Sequence, residues 1–390
     1  MGAWRDLWTL TPDVDYLNHG SFGACPRHVL EHQAALVARL EREPVDFLNR
    51  DLPGLLAEAR ATVGAFVGAD PDDLAFVPNA TTAVNAVLRS LTLAPGDELL
   101  TTSHVYAACR KTLRFVASRT GARVVVAAVP FPLSGPDEVA EPVLAAVTPK
   151  TRLALLDHVA SPTALVFPLR RLVAELAERG VDALVDGAHA IGMVPLDLRE
   201  IGAAYYTANA HKWLCAPKGA AVLHVRRDRQ RQVHPMTVSH GYDPDGGGAD
   251  FRAEFDWTGT CDPSGFLSVP ESIRFLGGLL PGGWPELMAR NHALALEARQ
   301  LLCEALGVAA PCPAEMLGSM ASVPLPAGEP GSAVERLDHE ALIGWFRERG
   351  VETWLYTWEG TKLIRASAQL YNTREQFQRL ASLLGEAMRG

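Results

Sequence analysis

The sequence predicts an α/β fold: a mainly parallel sheet covered on both faces by helices, followed by a smaller α+β unit. Two observations carry this. Between residues 74 and 225, short runs apolar on both faces alternate with amphipathic stretches of helical period, the pattern of buried parallel strands joined by crossover helices. Beyond about residue 270 the alternation gives way to long helices and a pair of adjacent strands. In order, Leu74-Ala-Phe-Val77 reads as a strand leading to a helix over 84–91. A Pro95-Gly96 turn then opens the strand Asp97-Glu-Leu-Leu-Thr-Thr102, with a helix over 106–118. Arg123-Val-Val-Val-Ala-Ala128 precedes a helix over 138–147, and Arg152-Leu-Ala-Leu-Leu-Asp157 precedes one over 169–179 that Gly180 ends. Residues 182–185, 204–207 and 219–225 supply three more strands. The later part reads as helix 287–306, a Pro/Gly-rich stretch through 325–332, helix 339–349, strands 352–357 and 362–366, and helix 373–388. Residues 241–248, rich in glycine and acid, read as a mobile loop, and no internal repeat is seen.

Composition limits the function classes. A chain of 390 residues that is 48% hydrophobic and 21% charged has the makings of a large globular core. Its formal charge of −9 argues against nucleic acid or an anionic membrane surface as partner, and the basic run Arg226-Arg-Asp-Arg-Gln-Arg231 reads as a solvated face. No segment reaches the ~18 consecutive apolar residues of a membrane span, the N-terminus lacks a signal pattern, and residue 6 is Asp where a myristoylation signal after Gly2 wants Ser or Thr. Six scattered cysteines without metal-ligand spacing suit reduced thiols in a cytoplasmic protein.

Two short motifs say most about chemistry. Asp186-Gly-Ala-His189 and Asn209-Ala-His-Lys212 each close an apolar strand, so an acid and a lysine reach the carboxyl edge of one sheet, where ligands of such folds bind. That pair suits pyridoxal phosphate, whose aldehyde requires a lysine amine for attachment and whose pyridine nitrogen requires a carboxylate to stay protonated. The bland alternatives are a surface lysine and, for Asp186, a helix cap; Lys218, in a Pro-Lys-Gly turn, is the local competitor. His189 stands near enough to lie over the same ring or to donate to its phenolic oxygen. Pro78-Asn-Ala-Thr-Thr-Ala83, between a strand and a helix, offers free backbone N–H groups for an anion. Ile364-Arg-Ala-Ser-Ala-Gln-Leu-Tyr-Asn-Thr373 puts Arg365 at a strand where a two-pronged contact with a substrate carboxylate is feasible; an interdomain ion pair is the plainer reading.

With these four pieces, the chain resembles the class V aminotransferase-type enzymes of fold type I, which use pyridoxal 5'-phosphate. Within them it is most similar to the isopenicillin N epimerase-like branch, on Tyr16-Leu-Asn-His-Gly-Ser-Phe-Gly23, Ser161-Pro-Thr-Ala164, Trp257-Thr-Gly-Thr260 and the Arg365 motif. The resemblance covers nearly the whole chain and implies a seven-stranded-type sheet, with an N-terminal segment 1–20 near the active-site entrance, a large cofactor-binding domain 21–270 and a small domain 271–390. It implies that Lys212 holds the cofactor and Asp186 pairs with its ring nitrogen. Thr81, Asn209 and His211 would bind phosphate, Ala80 and Thr82 would offer further donors, and Thr260 would reach the phosphate from a second subunit of a homodimer. His104 matches the position that stacks on the ring, with Tyr106 as neighbouring alternative. Ser161 stands where related desulfurases carry an Asn near the phenolic oxygen. Arg365 would take the carboxylate of a small amino-acid substrate, with Asn18, His19 and Phe22 at the entrance.

Desulfurases carry a nucleophilic cysteine before the arginine strand, and residues 352–362 contain none. Persulfide chemistry there is therefore not expected. Epimerisation at Cα leads, with C–S β-lysis and transamination as alternatives; all three begin with proton removal by Lys212. Tyr106, His19 and Tyr356 are unranked candidates for a second acid. Rivals of other classes are a catalytically silent binding protein, a metal hydrolase using Asp186, His189 and His211, and a nucleotide-binding enzyme, for which no glycine-rich phosphate loop follows an early strand.

Overall fold

The computed structural model describes residues 4–243 and 250–389. Gly2 and residues 244–248 of the expected mobile loop lie outside the described residues. The α/β expectation is borne out. Seven strands form the large sheet: β1 Leu74–Val77, β2 Glu98–Thr102, β3 Arg123–Ala127, β4 Thr151–Asp157, β5 Asp182–Asp186, β6 Tyr205–Ala208 and β7 Ala221–Val225, in spatial order β1-β7-β6-β5-β4-β2-β3. Only β7 runs against the others, pairing antiparallel with both β6 and β1. The carboxyl ends of β1, β4, β5 and β6 therefore share one edge, and β7 delivers its amino end there. The inner strands β4 to β7 are buried almost throughout, which is why their sequences lack alternation.

Helices cover both faces, and their ends carry local signals. The helix Ala80–Ser90 starts earlier than its apolar periodicity suggests because the Asn79 side chain accepts the Thr82 N–H at 2.8 Å, fixing the first turn. Two sixteen-residue helices that the periodicity reading left out, Arg27–Arg42 and Leu52–Val67, precede β1; the second buries Leu56, Val63 and Val67 in the core.

A smaller antiparallel sheet contains β8 Met320–Pro324, β9 Trp354–Trp358 and β10 Thr361–Ser367, in order β9-β10-β8. The single strand expected over 352–357 is split. Val351–Glu352 leaves to pair in parallel with Asp15–Tyr16, and Thr353 marks the break, its hydroxyl donating to the Arg365 carbonyl at 3.1 Å. β9 and β10 are joined through Glu359 and Gly360, both at positive φ, as a tight hairpin requires. The long helix Gly283–Leu306 and the helix Arg374–Met388 pack together over this sheet, burying Leu302, Phe377 and Leu384. Among the described residues no helix is long and apolar enough to cross a membrane.

Candidate active site

The carboxyl edge of the large sheet opens into a cleft of about 630 Å³, mouth included, lined by Thr81, Tyr106, Asp157, Asp186, His189 and Lys212 among others. Sequence and packing fix its floor. β4 and β5 end in register, Asp157 opposite Asp186. Gly187 follows because a Cβ there would lie 2.3 Å from the Tyr206 ring. Asp186 Oδ1 accepts the Ala188 N–H at 3.0 Å, a local turn and not the helix cap considered above, and Oδ2 accepts the Cys109 thiol at 3.2 Å.

Lys212 sits on a turn after β6. The Cys215 N–H donates to the Lys212 carbonyl at 2.9 Å, and His19 Nε2 donates to the same carbonyl at 3.0 Å. Gly23, at φ 71°, presses the N-terminal segment onto this turn; a Cβ there would stand 2.1 Å from the His211 carbonyl oxygen, so the close of the Tyr16–Gly23 motif must be glycine. The Lys212 amine lies 3.1 Å from His189 Nε2. Burial brings the amine down to about 7, with the Arg365 guanidinium adding to the effect. The same burial, then Lys212, holds His189 well below the ordinary histidine range, so its ring is neutral. Its Nε2 is turned to the amine and to Ser161 Oγ at 3.4 Å, and Nδ1 has no partner among the described residues. Lys218, the competitor, is exposed on its turn.

The anion cradle is narrower than expected. Asn209 Oδ1 accepts the Ala80 N–H at 2.9 Å, and Asn79 Oδ1 takes both the N–H and the hydroxyl of Thr82. Ala80 and Thr82 are thus committed to protein acceptors. Thr81 remains at the cleft wall with Asn209 and His211. His211 Nδ1 donates to the Ala220 carbonyl at 3.0 Å, and burial lowers the ring to about 4.

Two further expectations, those for His104 and His19, need correction. His104 does not line the cleft. It is fully buried, with Nε2 donating to the Val129 carbonyl at 3.1 Å, Nδ1 accepting from Thr163 at 2.7 Å and its ring against Trp358, while Tyr106 takes the place at the wall. His19 is not at the entrance but fully buried between Lys212 and Tyr371, and the entrance residues are Phe22, 66% exposed, and Ser21. Arg365 is fully buried as well. Its NH1 donates to the Ser161 carbonyl at 2.8 Å, to Ser161 Oγ at 3.2 Å and to Tyr356 OH at 3.1 Å; NH2 reaches Ser21 Oγ at 3.0 Å and Asn18 Oδ1 at 3.5 Å. Thr260 is exposed and outside this cleft. Asp186, His189 and His211 form no metal-binding group; none is found among the described residues. Asp157 and Ser21 escaped the sequence reading, although Asp157 obeys the rule that singled out Asp186, an acid closing a buried strand.

The His104 geometry has a measurable consequence. His104→Ala leaves the buried Thr163 hydroxyl without its acceptor, while the Val129 carbonyl keeps the Ser103 hydroxyl at 3.0 Å, and should cost about 1–3 kcal/mol in chemical denaturation. It should leave the cofactor stoichiometry per chain unchanged, whereas Tyr106→Ala should change the absorbance of the bound cofactor.

The model of the family Aminotransferase class-V matches residues 27–380. The chain belongs to this family. Among class V relatives, it is 38% identical over 402 aligned positions to the isopenicillin N epimerase of Amycolatopsis lactamdurans, with 98% of each chain covered. It is 35% identical to a putative L-cysteine desulfhydrase 1 of Oryza sativa subsp. japonica, covering 94% of this chain and 82% of that one. A solved structure of the cystine C-S lyase C-DES in complex with cysteine persulfide superposes with TM-score 0.80 at 22% identity, covering 96% of this chain and 98% of that one, a likeness of fold.

The cleft fits the cofactor expected from the sequence. Asp157 and His189 line it, each with one buried polar atom, Oδ2 and Nδ1, that has no partner among the described residues, beside an amine near neutrality and an anion-ready helix start. A polar aromatic aldehyde with a phosphate would find the amine for its carbonyl carbon, Asp186 for its ring nitrogen and the helix start for its phosphate.

Proposed function

We propose that this class V enzyme acts at the α-carbon of an amino acid or amino-acid-derived substrate as an isopenicillin N epimerase-like epimerase. The cofactor is pyridoxal phosphate. When bound, it takes up the electron pair freed at the substrate Cα. The observation that carries the reading is the Lys212 amine held near neutrality against a neutral His189. Such an amine can attach an aldehyde, and once released it can remove and return a proton. In this reading Lys212 holds the cofactor, Asp186 faces the ring nitrogen, Thr81, Asn209 and His211 receive the phosphate, and Tyr106 covers the ring. Arg365 takes the substrate carboxylate after Ser21 and Tyr356 yield their hydrogen bonds to it. Thr260 of a second copy completes the phosphate site in a homodimer, and residues 21–270 and 271–390 act as the cofactor-binding and small domains.

The two-residue hairpin at Glu359 and Gly360 supports leaving out a loop-cysteine desulfurase: this connection has no room for a swinging nucleophile, and its neighbour Trp358 is anchored to the Ser103 carbonyl at 3.3 Å. A second reading, β-elimination of a C–S bond, is favoured by the desulfhydrase relative and needs no cysteine on the protein.

Proton NMR in deuterated water over a panel of L-amino acids and short peptides ending in them separates the readings. Cα exchange with inversion is the expected result; pyruvate with ammonia and sulfide identifies the lyase, and loss of the amino group to the cofactor a transaminase. No Cα exchange with any substrate would remove both main readings. Capture of added cofactor by the cofactor-free chain should follow the Lys212 amine. With its acidity near 7, the neutral fraction, and hence the attachment rate, rises from pH 6 to pH 8 and levels off above, a full unit or more below the profile of an ordinary lysine.

A further inference from the structure

Beneath the cleft lies an acidic cluster that the reading above uses only in part. β4 and β5 are parallel neighbours in register at Asp157 and Asp186, so both side chains leave the same face of the sheet from strands about 5 Å apart. Asp157 is 2% exposed and Asp186 5%. Their partners are unequal. Asp186 accepts the Ala188 N–H and the Cys109 thiol, one on each oxygen; Asp157, which lines the cleft, takes backbone N–H groups including that of Tyr106, but its Oδ2 has no partner among the described residues.

The groups around the pair do not supply a matching cation. From the helix Ala107–Thr120 come Cys109, a neutral donor to Asp186, and Arg110, whose NH2 is spent on the Ser103 carbonyl at 2.8 Å. Arg110 makes no ion pair with either aspartate among the described residues, and its charge opposes the effect of burial on the Asp157 carboxyl only weakly. Tyr106 precedes that helix, and across the cleft stand neutral His189 and a Lys212 amine poised near neutrality. Two buried carboxyls on adjacent strands without a paired cation do not both ionise at neutral pH.

We propose that Asp157 and Asp186 share one proton, carried by Asp157, so that Asp157 is a positioning residue that stays a neutral carboxylic acid and keeps the single negative charge on Asp186. The unpartnered oxygen decides the placement: each Asp186 oxygen accepts a donor, whereas Asp157 Oδ2 is buried without one, and that is where the proton is held. Burial first, and then the charge of Asp186, push the Asp157 carboxyl well above the usual carboxylate range. The role rests on the reading that Asp186 faces the ring nitrogen: a second charge at its side would overbind the ring proton, and a proton on Asp186 itself would leave the ring without its counter-ion.

The test uses the holoenzyme and the isosteric, uncharged Asp157→Asn. Infrared difference spectra, wild type minus variant, should show a protonated-carboxyl C=O band at neutral pH that belongs to Asp157. The pH midpoint of the cofactor absorbance should be the same in both, because the variant removes no charge. Absence of the band, a midpoint moved by about one unit, or failure of the variant to retain cofactor would each overturn the proposal, since a neutral isostere must be tolerated where a neutral acid stands. Borohydride labelling of Lys212 in the wild type, done first, tests the cofactor reading separately, so the two failures are distinguishable.

Discussion

Lys212→Ala should abolish borohydride-dependent labelling of the chain by pyridoxal phosphate and lower turnover on the order of 10³-fold or more, since one amine serves as attachment point and as proton carrier. No neighbour can take over. Lys218 sits exposed on its turn, and the cleft wall otherwise offers carboxyls, hydroxyls, amides and imidazoles. The fold should survive, because the turn is held by backbone: the Lys212 carbonyl keeps the Cys215 N–H and His19, and the His211 N–H keeps the Ala220 carbonyl at 3.1 Å. A lysine whose pKa falls from 10.5 unfolded to about 7 folded weighs against folding wherever the unfolded chain would keep it charged. That penalty is full below about pH 7, shrinks as pH rises and vanishes above about pH 10.5. The cofactor-free variant should therefore resist denaturant better than the cofactor-free wild type at pH 6, with the difference narrowing by pH 9. A variant that labels with borohydride as the wild type does would move the attachment site elsewhere.

What the sequence disclosed, and what it withheld, follows from the range of the interactions. Asp186 and Lys212 were legible because burial makes an acid or amine at the end of an apolar strand costly without a purpose, and both positions are read from local sequence. The family resemblance supplied cofactor and fold. Side-chain direction was not legible. His104 and Tyr106 stand two residues apart in one turn after β2, and distant partners, Val129, Thr163 and, some 250 residues on, Trp358, hold His104 inward. Ala80 and Thr82 looked like free donors until Asn79 and Asn209 claimed them, the second from across β7. The covering of Arg365 is still more distant, since Asn18 and Ser21 come from the far end of the chain. β9 broke at Thr353 because a neighbour in space, the Asp15–Tyr16 strand, offered Val351 and Glu352 a parallel partner.

Arg365 joins substrate recognition to the acidity of Lys212, and its replacement should alter both. Arg365→Gln keeps part of the hydrogen bonding to Ser161 and Tyr356 but loses the charge and the planar fork. Loss of a charge-assisted, two-pronged carboxylate contact worth about 2–4 kcal/mol should raise KM by about 30- to 1000-fold. The buried guanidinium also holds the Lys212 amine down, second only to burial itself. Without that positive charge, protonation of the amine becomes easier, so its pKa moves upward from about 7 and the pH midpoint for cofactor capture moves upward with it. A residue that only braced Ser21 and Tyr356 would raise KM through a disordered entrance and leave that midpoint where it was. Arg365→Lys separates the two effects: it restores a positive charge without the fork, so the midpoint should return toward the wild-type value while KM stays high. Steady-state kinetics with the substrate identified by NMR gives the first quantity, and stopped-flow absorbance of cofactor capture across pH gives the second. A Gln variant with raised KM and an unmoved midpoint would confine Arg365 to the carboxylate and leave burial alone to explain the reactivity of Lys212.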